Sequence, residues 1–300
     1  MGPTHRLDEK SRFMLGLPAP AKLNLFLRVI GRRPDGFHEL QTAFVAIDLA
    51  DTLDFELLPD GCVDRGGDLT GPVEQDLAVR AARLLQHQSQ CGLGVRIELQ
   101  KRIPTGGGLG GGSSDAATTL LALNRLWRLN WTRDRLAALA LQLGADVPFF
   151  LQPRPSLGEG IGERLSPLAV PQAWYALIHP RVHVSTAEIF KSPELTARLE
   201  LAKIQSFSEG GRNRAEGAGP GFGASCRNDL EPIVRSRVPE VDAALRYLAQ
   251  FGEARMSGSG ASVFAAFEAE GQARRAIAGA PTKWSSWAVS GLTEHPLASW

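Results

Sequence analysis

The hydrophobic pattern changes period several times along the chain, and each change marks an element. Residues 23–30 (LNLFLRVI) form an unbroken run of strand formers that stops at Gly31. Residues 32–36 (RRPDG) have turn composition, and 40–49 and 51–58 predict two more strands. An apolar stripe at Leu77, Ala78, Ala81, Leu84 and Leu85 predicts a helix over 76–88. Val95, Ile97 and Leu99 then alternate with Arg96 and Glu98, the period of a half-buried strand. A second helix over 114–127 places Ala117, Leu120, Leu121, Leu123 and Trp127 on one face. A third opens at Thr132, a suitable N-cap, and closes at Gly144, suited to the C′ position. After a Pro- and Gly-rich stretch at 155–172, strands are predicted at 174–178 and 262–267, and helices at 241–251 and 272–278.

Strands and helices interleave on both sides of that stretch, which implies an α/β or α+β protein in two lobes. The expected division is a polar extension at 1–17, a first domain at 18–165 and a second at 166–300. Residues 205–225 are polar, glycine-rich and aperiodic, and predict a flexible surface loop.

Charge and composition narrow the function classes. The chain carries 33 basic and 32 acidic residues, a net charge of +1, without a Lys/Arg patch; a nucleic-acid partner is not expected. No apolar run approaches the ~18 residues of a membrane helix. The start of the chain imitates a secretory signal, but Asp8 and Glu9 interrupt its basic region and Pro18 and Pro20 its apolar one. Cys62, Cys91 and Cys226 are too scattered for a disulfide framework or a zinc site, and no HExxH motif occurs. That pattern fits a reducing cytoplasm. Monomer and homodimer remain equally open.

Glycine carries the chemistry. There are 32 glycines in all, and six of them fall within residues 106–112. The segment Pro104, Thr105, Gly106, Gly107, Gly108, Leu109, Gly110, Gly111, Gly112, Ser113, Ser114 runs directly into the second predicted helix. Glycines let backbone N–H groups converge on an anion, and the helix start adds unpaired N–H groups and about half a positive charge. A phosphate cradle is therefore expected. It is not a P-loop: Gly107 and Gly112 have the spacing, but Ser113 stands where lysine is required. A GxGxxG pattern fits Gly106, Gly108 and Gly111, yet helix follows helix where a dinucleotide fold needs a strand ending in an acid.

Residues 104–116 (PTGGGLGGGSSDA) resemble the phosphate-binding loop of the GHMP kinases. Residues 20–25 (PAKLNL) and 33–42 (RPDGFHELQT) are similar to the opening of one branch, which acts on a small cytidyl-bearing polyol. Residues 143–149 (LGADVPF) and 255–261 (RMSGSGA) resemble two later motifs of that branch. The resemblance runs over about residues 18–290. It implies a two-lobed α/β (α+β) GHMP kinase fold, with an N-terminal ATP-binding lobe and a C-terminal ferredoxin-like α+β lobe. ATP would be the phosphoryl donor and Mg²⁺ its companion.

The resemblance also distributes roles. Asp146 alone reads more readily as a turn aspartate than as a catalyst; the match implies that it is the base that takes a proton from the substrate hydroxyl. Lys22 is one of six lysines against 27 arginines, and the match places it beside that carboxylate. Asn24 shares its strand face and would contact substrate. Phe37 and His38 stand where the branch stacks and hydrogen-bonds cytosine, with Phe replacing the more usual Tyr. Thr186 and Phe190 match the rest of that pocket, with Phe190 as the opposite stacking face. Ser113 and Ser114 would meet phosphates or Mg²⁺. Ser257, Gly258, Ser259 and Gly260 would close over the phosphates from the other lobe. Asp115 stands where Asn or an Ala-like residue is commoner, and its role stays open.

Overall fold

A computed structural model describes residues 12–69, 71–192, 195 and 227–300. The expected loop at 205–225 and the start of the N-terminal extension lie outside the described residues. The first lobe is built on β1 (Phe13–Arg32) and β2 (His38–Leu58), a long antiparallel pair. β4 (Gly94–Gln100) joins β2 near its C-terminal end and β5 (Ser156–Gly160) near its N-terminal end. β3 (Val63–Gly67) and β6 (Arg164–Pro167) complete the sheet, and β3 with β4 is its parallel pair.

Helices α1 (Leu77–Ser89), α2 (Gly111–Leu126) and α3 (Arg133–Ala140) pack with the sheet around one core that includes Phe55, Leu85, Leu120 and Phe150. Asp76 caps α1 by accepting from the Ala78 and Val79 amides, and Thr132 caps α3 as expected.

The second lobe runs β7 (Trp174–His179), α4 (Thr186–Phe190), α5 (Glu231–Arg237), α6 (Pro239–Leu248), β8 (Ala254–Met256), β9 (Val263–Phe267), α7 (Glu270–Ala278) and β10 (Ser285–Ser290). Its antiparallel sheet has the order β10-β7-β9-β8. Strands one to four of the lobe therefore stand as 4-1-3-2, the ferredoxin-like arrangement the sequence led us to expect.

Between the sheets lies a core that explains how a lysine comes to sit in a strand of apolar residues. Ala21, Leu23 and Leu25 of β1 enter it with Val45, Ile47, Tyr175, Leu177 and Phe264. Side chains alternate along a strand, so Lys22 and Asn24 necessarily face the other way.

Four boundaries differ from the expectation. β1 begins at Phe13, paired with Glu56, so residues 13–17 are sheet and not extension. Pro18 and Pro20 lie within β1, which flanks β2 at an edge where a missing N–H is tolerated. The two strands expected at 40–49 and 51–58 are one, and Asp51 lies within it. The Pro- and Gly-rich stretch at 155–172 is largely the β5–β6 hairpin of the first sheet, so the chain crosses between lobes after Pro167. α3 stops at Ala140; residues 141–143 continue as turns, and the Gly144 amide donates to the Ala140 carbonyl at 3.3 Å. Among the described residues no helix is long and apolar enough to cross a membrane.

Candidate active site

The glycine segment crosses from β4 to α2 and forms the floor of a cavity of about 560 Å³. Its backbone goes where a side chain could not. Gly108 has φ +72°, and a Cβ there would lie 2.3 Å from the Ser257 carbonyl oxygen. Gly110, at φ +71°, is the residue before α2, and a Cβ would meet the Phe150 ring at 2.9 Å. With no side-chain cap on α2, its first amides remain for a ligand. Gly112 and Ser113 line the cavity. Ser114 is fully buried with its Oγ unpartnered, so of the two serines only Ser113 lines the cleft.

Lys22 is held beside this floor. Its backbone N–H donates to the Leu109 carbonyl at 2.9 Å, so β1 and the glycine segment are joined there. The ammonium lies 3.3 Å from Asp146 Oδ2, donates to Asn24 Oδ1 and sits over the Phe44 ring. Asp146 precedes a 3-10 turn, Val147–Leu151, whose five residues are all buried. Its own side chain is 37% exposed, against 4% for Lys22. Asn24 donates from Nδ2 to Thr42 Oγ1 at 2.8 Å, and Thr42 in turn donates to the Phe26 carbonyl. The Lys22, Asn24 and Asp146 side chains thus form one hydrogen-bonded group on the cavity wall.

Ser257 bridges the lobes. Its hydroxyl accepts from the Asn24 amide at 3.1 Å and donates to the Gly108 carbonyl at 3.1 Å. Ser262 N donates to the Gly107 carbonyl at 3.0 Å. Within residues 257–260, Gly258 and Ser259 line the cavity, while Ser257 and Gly260 face the packing behind it.

A second cavity of about 770 Å³ adjoins the first and shares Leu40, Ala145, Ile161, Thr186 and Phe190 with it. Here the His38 ring lies against Phe190, centroids 5.4 Å apart and planes at 35°. Phe37 is 59% exposed at the rim. Burial, then the nearby Arg32, holds the His38 imidazole below its ordinary value, which favours the neutral ring. Thr186 Oγ1 and Ser259 Oγ are 2.6 Å apart, tying this pocket to the 257–260 loop.

Two residues of the site escaped the sequence reading. Lys101 Nζ lies 2.5 Å from Asp51 Oδ2 and 2.7 Å from Asp115 Oδ2. Asp51 Oδ1 also accepts from the Arg102 and Ile103 amides, which fixes the turn that leads into the glycine segment. Asp115 Oδ1 is buried without a partner. Burial above all, opposed by Lys101 and reinforced by Asp51, pushes the Asp115 carboxyl up to about 7. Burial works against the Lys101 charge, but the two carboxylates outweigh it and raise its pKa. The signal was available: Lys101 belongs to the same scarce set of six lysines that drew attention to Lys22. His179 and His183 stand four residues apart, and their rings pack against the backbone of Gly107 and Gly106.

The family is settled by comparison with known proteins. Residues 76–153 match the GHMP kinase N-terminal domain, and residues 204–286 match the GHMP kinase C-terminal domain. The chain belongs to the GHMP kinase family. It is 52% identical over 284 residues to the 4-diphosphocytidyl-2-C-methyl-D-erythritol kinase of Aromatoleum aromaticum, covering 94% of this chain and 95% of that one. With the enzyme of the same name from Thiobacillus denitrificans it shares 54% over 281 residues, 93% of this chain and 96% of that one. A crystal structure of 4-(cytidine 5'-diphospho)-2C-methyl-D-erythritol kinase superposes with a TM-score of 0.77 at 36% identity, covering 92% of this chain and 99% of that chain.

A GHMP kinase takes its phosphoryl group from ATP, and the glycine floor with the open end of α2 suits a phosphate chain. Among the described residues no group of three or more His, Cys, Asp or Glu side chains is placed to hold a metal. Ser113 lines the cavity beside this floor, and its hydroxyl suits an ion that keeps most of its ligands from phosphate and water, as Mg²⁺ does.

Proposed function

We propose that this chain transfers the γ-phosphoryl group of ATP to the 2-hydroxyl of 4-diphosphocytidyl-2-C-methyl-D-erythritol, giving the 2-phosphate and ADP, in the non-mevalonate route to isoprenoid precursors. The observation that carries the reading is the Lys22–Asp146 pair at the meeting of two cavities. Asp146 lines the cavity with the phosphate floor, and its neighbour Ala145 lines both. A nucleotide in the first and a cytidyl alcohol in the second would bring γ-phosphorus and hydroxyl together beside that pair.

Asp146 then accepts the hydroxyl proton as the oxygen attacks phosphorus. The bond from γ-phosphorus to the β–γ bridging oxygen breaks, and its electrons leave with ADP. Lys22, buried and 3.3 Å from the carboxylate, orients Asp146 and offsets charge on the transferring oxygens. Mg²⁺, when bound with ATP, would supply further neutralisation of phosphate charge, with the Ser113 hydroxyl as a protein-side oxygen. Phe190 and the neutral His38 ring offer a stacking surface and a hydrogen-bonding edge to cytosine, and Phe37 covers them from the rim.

An ADP-release assay over a panel of alcohols, including the cytidyl substrate, homoserine and mevalonate, tests this directly. Turnover with the cytidyl substrate above all others is the expected result. Background rates with it, alongside turnover of another alcohol, would overturn the substrate while leaving the kinase class.

A further inference from the structure

Residues 227–231 line neither cavity, yet they are bonded to the strand and the loop that build the site. Leu27 N donates to the Arg227 carbonyl at 3.1 Å, and Asp229 N donates to the Leu27 carbonyl at 2.8 Å. The Asp229 carboxylate accepts from the Val29 amide at 3.0 Å. The segment therefore runs alongside β1 as a parallel bridge of Leu27 and Asn228, three residues beyond Asn24. Asn228 is buried, 5% exposed, and its side chain reaches the 256–258 backbone of its own lobe. Its Nδ2 donates to the Met256 carbonyl at 2.9 Å and the Gly258 carbonyl at 2.7 Å. Its Oδ1 accepts from the Leu230 amide at 3.0 Å. Glu231, next along, accepts the Met256 amide at 2.9 Å.

These bonds close a ring. From Asn24 the chain passes along β1 to Leu27, across to Asn228, through its amide to Gly258, and from Ser257 back to the Asn24 amide. The glycine segment hangs on the same ring, because Ser257 also holds the Gly108 carbonyl. Thr186 hangs on it through Ser259. We propose that Asn228 is a positioning residue for phosphoryl transfer: its amide fixes the 257–260 loop against the strand of Lys22 and Asn24, and so sets the phosphate floor and the acceptor pocket relative to each other. Only an amide suits the place. Two carbonyls converge on one donor and a backbone N–H needs the acceptor, so a carboxylate would repel the carbonyls and an apolar side chain would strand them. Misplacement of reacting groups by about 1 Å is enough to lose roughly a hundredfold in rate.

The inference rests on the kinase reading above, and one assay separates the two. Asn228→Ala should lower kcat by about 10–100-fold while the KM values for ATP and the cytidyl substrate stay within about threefold. Tyr247→Ala is the matched control: Tyr247 packs edge-on against Trp284, 5.7 Å between centroids, in the second lobe's core. That variant should lose as much or more in Tm and keep its kcat. If Asn228→Ala does not fold, Asn228→Ser retains one short donor and should give an intermediate kcat. Wild-type kcat in either Asn228 variant would overturn the proposal, as would an equal loss of kcat in Tyr247→Ala. Absence of turnover in the wild type itself would instead overturn the substrate reading.

Discussion

Two lysines face carboxylates on either side of the glycine segment, and they are built for opposite ends. Lys22 meets one carboxylate, Asp146, that is more than a third exposed. Lys101 meets two, Asp51 and Asp115, whose side chains are 0% and 4% exposed. The first pair leaves carboxylate oxygen free to meet a hydroxyl; the second occupies its ammonium with two buried partners and the Asp51 oxygens with backbone amides as well. A charge group that must do chemistry needs an open side, whereas one that fixes a turn is closed on itself. On the proposed mechanism, losing a charge in the first pair removes transition-state stabilisation; in the second, it leaves a buried charge uncompensated.

The largest expected effect follows for the open pair. Asp146→Asn keeps the shape and removes the proton acceptor, so kcat should fall by roughly 10²–10⁴ with nucleotide affinity nearly unchanged. Steady-state kinetics and a nucleotide titration measure the two quantities. A variant that turns over like the wild type would break the comparison at its first arm. Lys101→Met is the counterpart. Two carboxylates would remain buried without their cation, at a cost of about 3–5 kcal/mol, read by thermal or urea unfolding. The comparison fails if Lys22→Met destabilises the protein as much as Lys101→Met does.

The cytidyl pocket provides an arm that neither lysine should influence. Phe190→Ala removes a ring packed on His38 and should raise KM for the cytidyl substrate about tenfold, equivalent to the ~0.5–1.5 kcal/mol of an aromatic pair with its buried area. KM for ATP should not move. Phe37→Ala, at the exposed rim, should have a smaller effect of the same kind. Equal changes in both KM values would show that the cavities are not separate subsites.

The motifs of the site were readable because each rests on a local rule. Six glycines running into a helix carry an anion cradle in the sequence itself, whereas Lys22 and Asp146 were singled out through the resemblance of their motifs. The closed cluster was not readable, because Asp51, Lys101 and Asp115 are separated by 50 and 14 residues and meet only through the β2–β4 pairing. Asp51 was read only as the first residue of a strand over 51–58, since nothing local marks an aspartate that captures distant amides. The start of β1 was hidden for a related reason: residues 13–17 read as extension because only their pairing with β2 makes them sheet. The role of residues 227–231 was likewise invisible, because it consists of bonds to β1 some 200 residues earlier.

Asp115→Asn is the smallest perturbation, and it shows how tightly the closed cluster is balanced. The amide can still accept from Lys101, and Lys101 keeps Asp51, so one cation then faces one anion. Burial holds the folded Asp115 carboxyl near 7, above the 3.8 it recovers on unfolding. Between those values the folded protein binds the proton more tightly than the unfolded chain does. The contribution of Asp115 to stability is therefore complete below about pH 4, declines as pH rises toward 7, and is level above that. At pH 4 the neutral acid and the amide should differ by no more than about 1 kcal/mol. From there to about pH 7 the variant should gain steadily on the wild type and then hold that gain to pH 8, as seen in parallel urea unfolding series. If the two series stay parallel over that range, Asp115 titrates like an ordinary surface carboxylate, and the contrast between an open pair and a closed cluster loses its electrostatic basis.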